Sequence, residues 1–435
     1  MSSSRGTTTP KTPELDFQRT VLDSGVRVLT TSMPHTGAVS IQILFGAGSR
    51  YEPDDLAGSS HLFEHLLFKG TKKRPTPREI AEVIEGVGGV LNAYTDREVT
   101  GYWCKVGAPH ARNGLDVLID MFRGPLFREE DVAREKQVVF EEIRATHDSP
   151  EGTVDLMLDN TLWPDQPMGR DIAGSIESVE SVSTDALKEY LSTQYVASNT
   201  VIAVAGAVRH EDVVRDVQEM LGDFGDGEPL QLHPFVDNLQ GPSVALQHRG
   251  TEQAHLAMGF HGVSNTDPDR YALRLLSTVM GGSMSSRLFE EVREKRGLAY
   301  SIHSGVAHFA DTGALQISSG VDPQRAEEAV KVVMEELDKM RSGVTDAEFQ
   351  QARELVKGRL LLRMEESRAV ASSAGTQELL LNEVKTVDEI IQEYEAVERD
   401  DLARVANRVL NSGKLALSVV GPFDSPDRFR ELLTL

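Results

Sequence analysis

The chain has little cysteine, a deficit of basic residues and no long hydrophobic run. Its 435 residues include one cysteine, Cys104, which excludes an intrachain disulfide. The 45 Lys and Arg residues are outnumbered by 68 Asp and Glu residues, giving a formal net charge of −23. This charge argues against a nucleic-acid partner, because phosphate binding needs a basic face. No apolar run reaches the roughly 18 residues of a membrane span, so we expect no membrane association.

The N-terminal stretch MSSSRGTTTPKTPELDFQR lacks the apolar segment of a signal peptide and has few arginines. We therefore predict a polar, disordered tail over residues 1–16 and a cytoplasmic location. Cys104 lies in GYWCKVG, a stretch with strand-like alternation, and we interpret it as a small buried hydrophobic residue.

The rest of the chain is predicted to consist of two similar domains. Residues 223–242 have the glycine, proline and polar density of a linker, which places the domains at 17–222 and 243–435. After the linker the order of segments restarts. AHLAMGFHGV corresponds to AVSIQILFGAG, and LALSVVGPF corresponds to VIAVAGAV. The mixture of strands and helices predicts an α+β fold of two homologous α/β-roll units, each with an antiparallel-rich sheet packed with helices.

Local patterns predict several elements of the first domain. GVRVLTTSMP and AVSIQILFGAG are predicted to be paired strands separated by the turn-like PHTG. VLNAYTDREVTGYWCKV is predicted to be a hairpin with its turn near residues 96–98. Residues 129–146 are predicted to be a long helix.

The stretch HLFEH carries the first candidate site. On a helix, His61, Glu64 and His65 lie on one face, because residues three and four apart are neighbours there. Two neutral imidazoles one turn apart can chelate a zinc ion, and a carboxylate between them can deprotonate the water of the metal. The alternative is an amphipathic helix that carries its histidines at the polar edge. The second domain has no HxxEH.

A catalytic zinc site needs a third protein ligand, and VAREKQVVFEEIRATH offers two candidates. Helical spacing places Glu135 and Glu142 within an apolar stripe that includes Val138 and Val139, which would require a partner for each carboxylate. Metal ligation by Glu142, with Glu135 supporting a histidine, would provide those partners. A partly exposed helix with both glutamates at its edge is the alternative.

The second domain contributes SSRLFEEVREKRGLAYS. By composition alone, Arg293 belongs to a solvated face, and Tyr300 begins a strand as a half-buried packing residue. Either side chain would also be able to donate to a substrate carbonyl or an oxyanion.

Together these residues resemble the pitrilysin-type zinc peptidases, family M16, whose motif class is called the inverzincins. The chain looks most similar to small bacterial members related to the β subunit of the mitochondrial processing peptidase. The resemblance runs from about Leu15 to the C-terminus. Its motifs are HLFEH, Glu142 at 77 positions after His65, Glu135, LNAYTD and GGSMSSRLFEEVREKRGLAYS.

The resemblance implies a role for each matched residue. His61, His65 and Glu142 would bind one Zn²⁺ per chain, Glu64 would be the general base, and Glu135 would support a ligand. Arg293 and Tyr300 would contact the substrate or the tetrahedral intermediate, and Asn92 and Ala93 would lie on the edge strand that receives an extended peptide.

On this basis we expect a zinc endopeptidase that cleaves unfolded peptides inside an enclosed chamber. A chain with two such domains is expected to form a homodimer or to pair with a related subunit. Two alternatives stay open: a non-catalytic partner or core subunit of an assembly, and a zinc-stabilised module that binds peptides without cutting them. Mn²⁺ and Co²⁺ also suit such a donor set.

Overall fold

The computed structural model describes residues 17–225 and 227–435, so the predicted tail at 1–16 lies outside the described residues. The strands are β1 (Phe17–Val21), β2 (Arg27–Ser32), β3 (Ala38–Phe45), β4 (Val90–Thr95), β5 (Thr100–Gly107), β6 (Thr200–Gly206), β7 (Ser243–His248), β8 (Ala254–His261), β9 (Ala299–His308), β10 (Gly313–Val321) and β11 (Leu415–Gly421).

The helices in the first part of the chain are α1 (Ser59–Leu67), α2 (Pro77–Glu85), α3 (Ala111–Arg123), α4 (Glu129–Asp148), α5 (Pro150–Leu162), α6 (Ile176–Ser181), α7 (Thr184–Gln194) and α8 (His210–Leu221). Those that follow are α9 (Arg270–Gly281), α10 (Ala326–Arg341), α11 (Asp346–Arg363), α12 (Ser367–Leu381), α13 (Val387–Ala396), α14 (Arg399–Val409) and α15 (Asp427–Arg430). None of the described helices has the length and apolar character needed to cross a membrane.

The first sheet has six strands in the order β1-β2-β6-β3-β5-β4. The predicted hairpin is confirmed, since β4 and β5 pair in antiparallel register around a turn at residues 96–99. The predicted pairing of β2 with β3 is wrong, because β6 lies between them, parallel to β2 and antiparallel to β3. All seven residues of β6 are buried, as expected for a strand at the centre of a sheet.

The second sheet repeats this arrangement with five strands in the order β7-β11-β8-β10-β9. Here β11 is parallel to β7 and antiparallel to β8, as β6 is to β2 and β3. The correspondence of β8 with β3 and of β11 with β6 is therefore confirmed, as is the α+β fold with two similar units. Helix α9 follows β8 and packs on β9, just as α1 follows β3 and packs on β4.

The two units exchange a helix. Helix α12 comes from the second part of the chain but packs on β3 and β6 of the first sheet, and α5 comes from the first part but packs on β8 and β11 of the second sheet. The first contact joins Leu44, Val201 and Ala203 to Val370, Ala371 and Ala374. The second joins Val154, Leu158 and Leu162 to Ala257, Ala416 and Val420. Each sheet is therefore covered on one face by a helix from the other part of the chain. Both faces of each sheet are covered, which explains the continuous apolar runs of the central strands.

The segment predicted as a linker has no helix or strand over the described residues 227–240. It is nevertheless attached to both units. The backbone N–H of His233 donates to the carbonyl of Arg50, and Nε of the Arg50 side chain donates to the carbonyl of His233. The backbone N–H of Phe235 donates to Asp311. The boundaries 17–222 and 243–435 stay a prediction.

Candidate metal and peptidase site

Helix α1 presents its histidines on the side opposite the core. Leu62, Phe63, Leu66 and Leu67 are buried beneath the helix, whereas His61, Glu64 and His65 are partly exposed. The imidazole rings of His61 and His65 lie 4.7 Å apart between centroids. The spacing of HLFEH therefore places all three polar side chains on one face.

Helix α4 brings Glu142 to this face. Its Oε2 atom lies 3.5 Å from Nε2 of His61 and 3.5 Å from Nε2 of His65. One donor atom from each of the three side chains lies within 4.8 Å of the other two. A tetrahedral zinc ion with bonds of about 2.0–2.1 Å requires donor separations of about 3.3–3.4 Å, so the two 3.5 Å distances fit such an ion.

The interpretation of α4 as an apolar stripe holding both glutamates is partly wrong. Glu135 is buried, but the side chain of Glu142 is 48% exposed and Val138 is 40% exposed. Val139, Phe140 and Ile143 form the buried face instead. Glu142 therefore lies at the edge of the helix, where its carboxylate remains accessible to an ion and to solvent.

Glu135 contacts the nitrogen of His65 that does not face Glu142. Its Oε2 atom lies 3.4 Å from Nδ1 of His65, while Lys69 approaches its Oε1 atom at 2.8 Å. This arrangement leaves Nε2 of His65 for a metal, which is the usual way in which a carboxylate orients a ligating histidine.

The two histidines have different electrostatic environments. Burial, together with the neighbouring His65, lowers the pKa of His61 to about 4, so this imidazole is neutral and its lone pair is available. For His65, burial opposes protonation, but the hydrogen bond to Glu135 and the charges of Glu142 and Glu64 outweigh it and raise the pKa. In Glu135 the cost of burial is outweighed by His65 and Lys69, and its pKa is lowered.

Glu64 is held by a neighbouring strand. Its Oε2 atom accepts a hydrogen bond of 2.6 Å from the hydroxyl of Thr95, at the end of β4. Burial raises the pKa of the Glu64 carboxyl, and the Thr95 hydrogen bond opposes this shift. A carboxylate whose pKa is raised toward neutrality is a better proton acceptor and donor near neutral pH.

Asn92 and Ala93 lie on β4, the edge strand of the first sheet. Their cross-strand neighbours on β5 are Trp103 and Tyr102. The other side of β4 has no strand paired to it within the described residues, and Thr95 brings this strand next to α1. The edge is therefore placed where an added strand would run beside Glu64.

Arg293 and Tyr300 lie on the second unit and contact each other. Arg293 is in a π-helical turn, Phe289–Glu294, and its guanidinium lies over the rings of Phe289 at 4.6 Å and Tyr300 at 5.1 Å. Tyr300 on β9 is 78% exposed, so its interpretation as a half-buried packing residue is wrong. The contacts described for these two side chains do not include His61, Glu64, His65 or Glu142.

Two residues of the site were not predicted. Thr95 holds Glu64, and Lys69 holds Glu135. Lys69 lies four residues after His65, just beyond the end of α1, so its spacing offered a signal. For Thr95 the sequence offered only its place in LNAYTD.

Comparison with known proteins identifies the family. Residues 27–175 match the sequence profile described as Insulinase (Peptidase family M16), and residues 181–356 match the one described as Peptidase M16 inactive domain. A Streptomyces coelicolor protein, named an uncharacterized zinc protease, is 37% identical over 412 residues, which cover 93% of this chain and 89% of that protein. This chain belongs to peptidase family M16.

A second sequence relative and a solved structure are also similar to this chain. An uncharacterized zinc protease of Bacillus subtilis is 36% identical, with 93% of this chain and 98% of that protein covered. The crystal structure of a protease from Helicobacter pylori superposes with a TM-score of 0.89 over 94% of this chain and all of that chain, at 24% identity. The last likeness concerns the fold. The names of the sequence relatives support a peptidase role and a zinc ion for this M16 member.

Proposed function

We propose that this M16 member is a zinc-dependent endopeptidase that hydrolyses unfolded peptides and short polypeptides. The single observation that carries the proposal is the convergence of His61, His65 and Glu142, with Glu64 on the same helix face. Two neutral imidazoles and one carboxylate are the donor set of known zinc peptidases, and the edge position of Glu142 leaves room for a water molecule and a substrate.

His61, His65 and Glu142 would hold one Zn²⁺ per chain. The ion would act as a Lewis acid on the scissile carbonyl and would lower the pKa of a bound water. Two further residues would assist. Glu135 would keep His65 in the correct orientation, and Glu64 would be the proton acceptor beside the histidines.

Glu64 is the general base of the proposed mechanism. It accepts the proton of the attacking water and then transfers it to the nitrogen of the leaving amine. The hydroxyl of Thr95 keeps one carboxylate oxygen in place, which leaves the other oxygen of Glu64 to exchange the proton.

The open edge of β4 is the proposed peptide-binding strand. An extended peptide that pairs with Asn92 and Ala93 would form main-chain hydrogen bonds, so binding depends little on side-chain identity. Only an unfolded segment can add to a sheet edge in this way. The acidic surface of the protein favours basic peptides.

Arg293 and Tyr300 are proposed to contact the substrate carbonyl or the oxyanion. Arg293 contacts Tyr300, Phe289 and Glu294, all within the second unit, and Tyr300 is largely exposed. We therefore propose that the working enzyme is a homodimer, or a pair with a related subunit, that encloses the peptide in a chamber. We also propose that it works in the cytoplasm.

Replacement of Glu64 tests the mechanism. Glu64→Gln retains the shape of the side chain but cannot accept the proton, so peptide hydrolysis should fall by about 10²- to 10⁴-fold. Zinc content, measured by atomic absorption, should stay at one ion per chain. The matched control is Glu141→Gln, because Glu141 is next to Glu142 on α4 but is exposed and paired with Arg144. Hydrolysis that persists in Glu64→Gln, or a wild-type protein without hydrolysis, would contradict the mechanism.

Sedimentation tests the proposed assembly. Wild-type protein that cleaves a peptide library should sediment as a dimer at the same concentration. A monomer with full activity would contradict the chamber, because a single chain presents its site to open solvent.

The alternatives are a non-catalytic partner subunit and a zinc-stabilised peptide-binding module. The match of residues 181–356 to the inactive-domain profile favours the first of these. That range contains none of the proposed metal ligands, however, and all of them lie within the match to the insulinase profile at 27–175. Zinc and peptide binding without cleavage in the wild-type protein would support the alternatives.

A further inference from the structure

Helix α1 begins without a cap of its own. Its N-cap residue is Gly58, which has no side chain and a left-handed backbone with φ 89°. A side chain at this position would also collide with the carbonyl oxygen of Ala173, 2.4 Å from the place of a Cβ atom. The first N–H groups of a helix need acceptors, so α1 must find them elsewhere in the structure.

Glu52, six residues earlier, provides those acceptors. Its Oε2 atom accepts the backbone N–H of Gly58 at 2.8 Å, and its Oε1 atom accepts that of Ser60 at 2.6 Å. Glu52 is 1% exposed. A carboxylate at a helix N-terminus is stabilised by the helix dipole, and its hydrogen bonds to N–H groups are stronger than those of a neutral acceptor.

The position of this cap matters because His61 directly follows Ser60. A shift of the first turn of α1 would move His61 relative to His65, which lies one turn further along and is oriented by Glu135 from α4. Zinc coordination tolerates only small changes in donor position. The geometry of the Glu52 cap therefore bears directly on the separation of the two imidazoles.

The segment that carries Glu52 is anchored to the second unit. Arg50 is fully buried; it donates to Glu98 at 2.6 Å, and it also forms an ion pair with Asp311 from the loop between β9 and β10. Its Nε atom donates to the carbonyl of His233 at 2.9 Å, in the segment that joins the two units. Glu98 in turn accepts the backbone N–H of Ala310 at 3.0 Å.

Arg170 also holds the segment that carries Glu52. Its guanidinium donates to the backbone carbonyl of Glu52 at 2.7 Å and to that of Ser49 at 3.3 Å. The chain between β3 and α1 is thus fixed by side chains from three separate segments.

We propose that Glu52 is a positioning residue for the metal-binding helix, and that Arg50 makes its position depend on the second unit through Asp311. The inference rests on the proposed metal site at His61, His65 and Glu142. The proposed metal ligands all lie on the first unit, but by this inference Asp311 of the second unit also affects their geometry.

The test uses the full-length protein and two measurements. Zinc affinity is measured by competition with a chromophoric chelator, and amide hydrogen exchange is followed helix by helix without zinc. Glu52→Gln retains size but presents an NH₂ group to one of the two N–H donors. We expect zinc affinity to fall about ten-fold, within the range seen when supporting hydrogen bonds of metal ligands are removed. Exchange should accelerate in α1 more than in α3 or α7.

The control is Asp55→Asn, which removes one negative charge from the same segment at an exposed position. It should change neither measurement. Asp311→Asn probes the link to the second unit and should lower zinc affinity by about two- to five-fold, a smaller loss than for Glu52→Gln because the buried Arg50 keeps its ion pair with Glu98. The double variant should lose less affinity than the sum of the single changes in free energy, since both act through one segment.

Unchanged zinc affinity in Glu52→Gln would overturn the inference even if α1 exchanges faster, since the cap would then serve stability alone. Equal acceleration in all helices would also overturn it. If Glu52→Gln fails to fold, Asp311→Asn decides, and wild-type zinc affinity in that variant would count against the inference. A wild-type protein that binds no zinc would instead refute the proposed function.

Discussion

The two units share a strand order but differ at the place where a helix crosses the edge strand. In the first unit, Glu64 on α1 accepts a hydrogen bond from Thr95 on β4. In the second, Ser277 on α9 contacts Ser304 on β9, with the two hydroxyl oxygens 3.1 Å apart. The same crossing of helix and strand therefore holds an ionisable group in one unit and a pair of neutral hydroxyls in the other.

Packing explains why the second crossing has no comparable site. The end of α9 approaches β9 through Gly281, where a Cβ atom would lie 2.6 Å from the backbone nitrogen of Ser304. Eight further residues of α9 are buried, whereas α1 leaves its two histidines and Glu64 partly exposed. The scaffold therefore supports a site only where the helix turns a polar face away from the core.

Arg293 and Tyr300 of the second unit provide the strongest test of the difference between the two units. Tyr300→Phe removes a hydroxyl that is proposed to donate to the oxyanion, and Arg293→Ala removes a cation beside it. Each should lower kcat by about 10²- to 10³-fold if it is such a donor. Steady-state kinetics with a fluorogenic peptide, together with metal analysis, would measure this, and zinc content should not change.

A control for these variants lies on the same strand. Ser301→Ala changes the neighbour of Tyr300 on β9, which is also exposed, and should leave the kinetics unchanged. If Tyr300→Phe and Arg293→Ala are as active as Ser301→Ala, neither Arg293 nor Tyr300 takes part in the reaction.

A smaller effect is expected from Glu135, which supports His65 in the first unit. Glu135→Gln should weaken zinc binding by about 10- to 100-fold, because an amide orients the imidazole less well than a carboxylate. A chelator competition assay would measure the change. Glu336→Gln provides the comparison, since Glu336 is also buried on a helix but belongs to the second unit and pairs with Lys339. Equal zinc affinity in the two variants would remove Glu135 from the proposed site.

The smallest expected effects concern the exchanged helices. Gly375 on α12 lies where a Cβ atom would be 2.5 Å from Leu44 and 2.9 Å from the short side chain of Ala203, so Gly375→Ala should destabilise the protein by about 1–2 kcal/mol. Gly259→Ala on β8 should cost less, because the nearest atoms belong to Leu158 and Leu162, which can rotate.

Thermal unfolding of the two glycine variants measures which substitution destabilises the protein more. Gly358→Ala is the control, because nothing lies near its Cβ position on α11, and alanine should stabilise that helix by about 0.5–1 kcal/mol. A larger loss for Gly259→Ala than for Gly375→Ala would show that the two helix exchanges are not packed as described.

Much of the fold was predictable because its signals are local. The hairpin β4–β5, the long helix α4 and the repeat of β3 as β8 all follow from alternation and periodicity in short stretches. The false pairing of β2 with β3 has a physical cause. Neighbours in sequence usually pair, and no local pattern shows that β6, from a distant part of the chain, will be inserted between them.

The exchange of α5 and α12 was not predicted for a similar reason. Each helix has the apolar face that any buried helix needs, and that face does not specify which sheet it covers. Only the assembled sheets distinguish the two choices, since each presents a second apolar face that must be covered.

For the candidate site, the sequence is sufficient to place His61, Glu64 and His65 on one helix face, because the geometry of a helix is the same in every context. Tertiary packing sets the other features of the site. It brought Glu142 to the edge of α4 rather than into its core, directed the hydroxyl of Thr95 at Glu64, and placed Glu52 at the start of α1. These contacts join segments that are separate in the chain. Their distances depend on how whole elements pack, and no local pattern of residues specifies that packing.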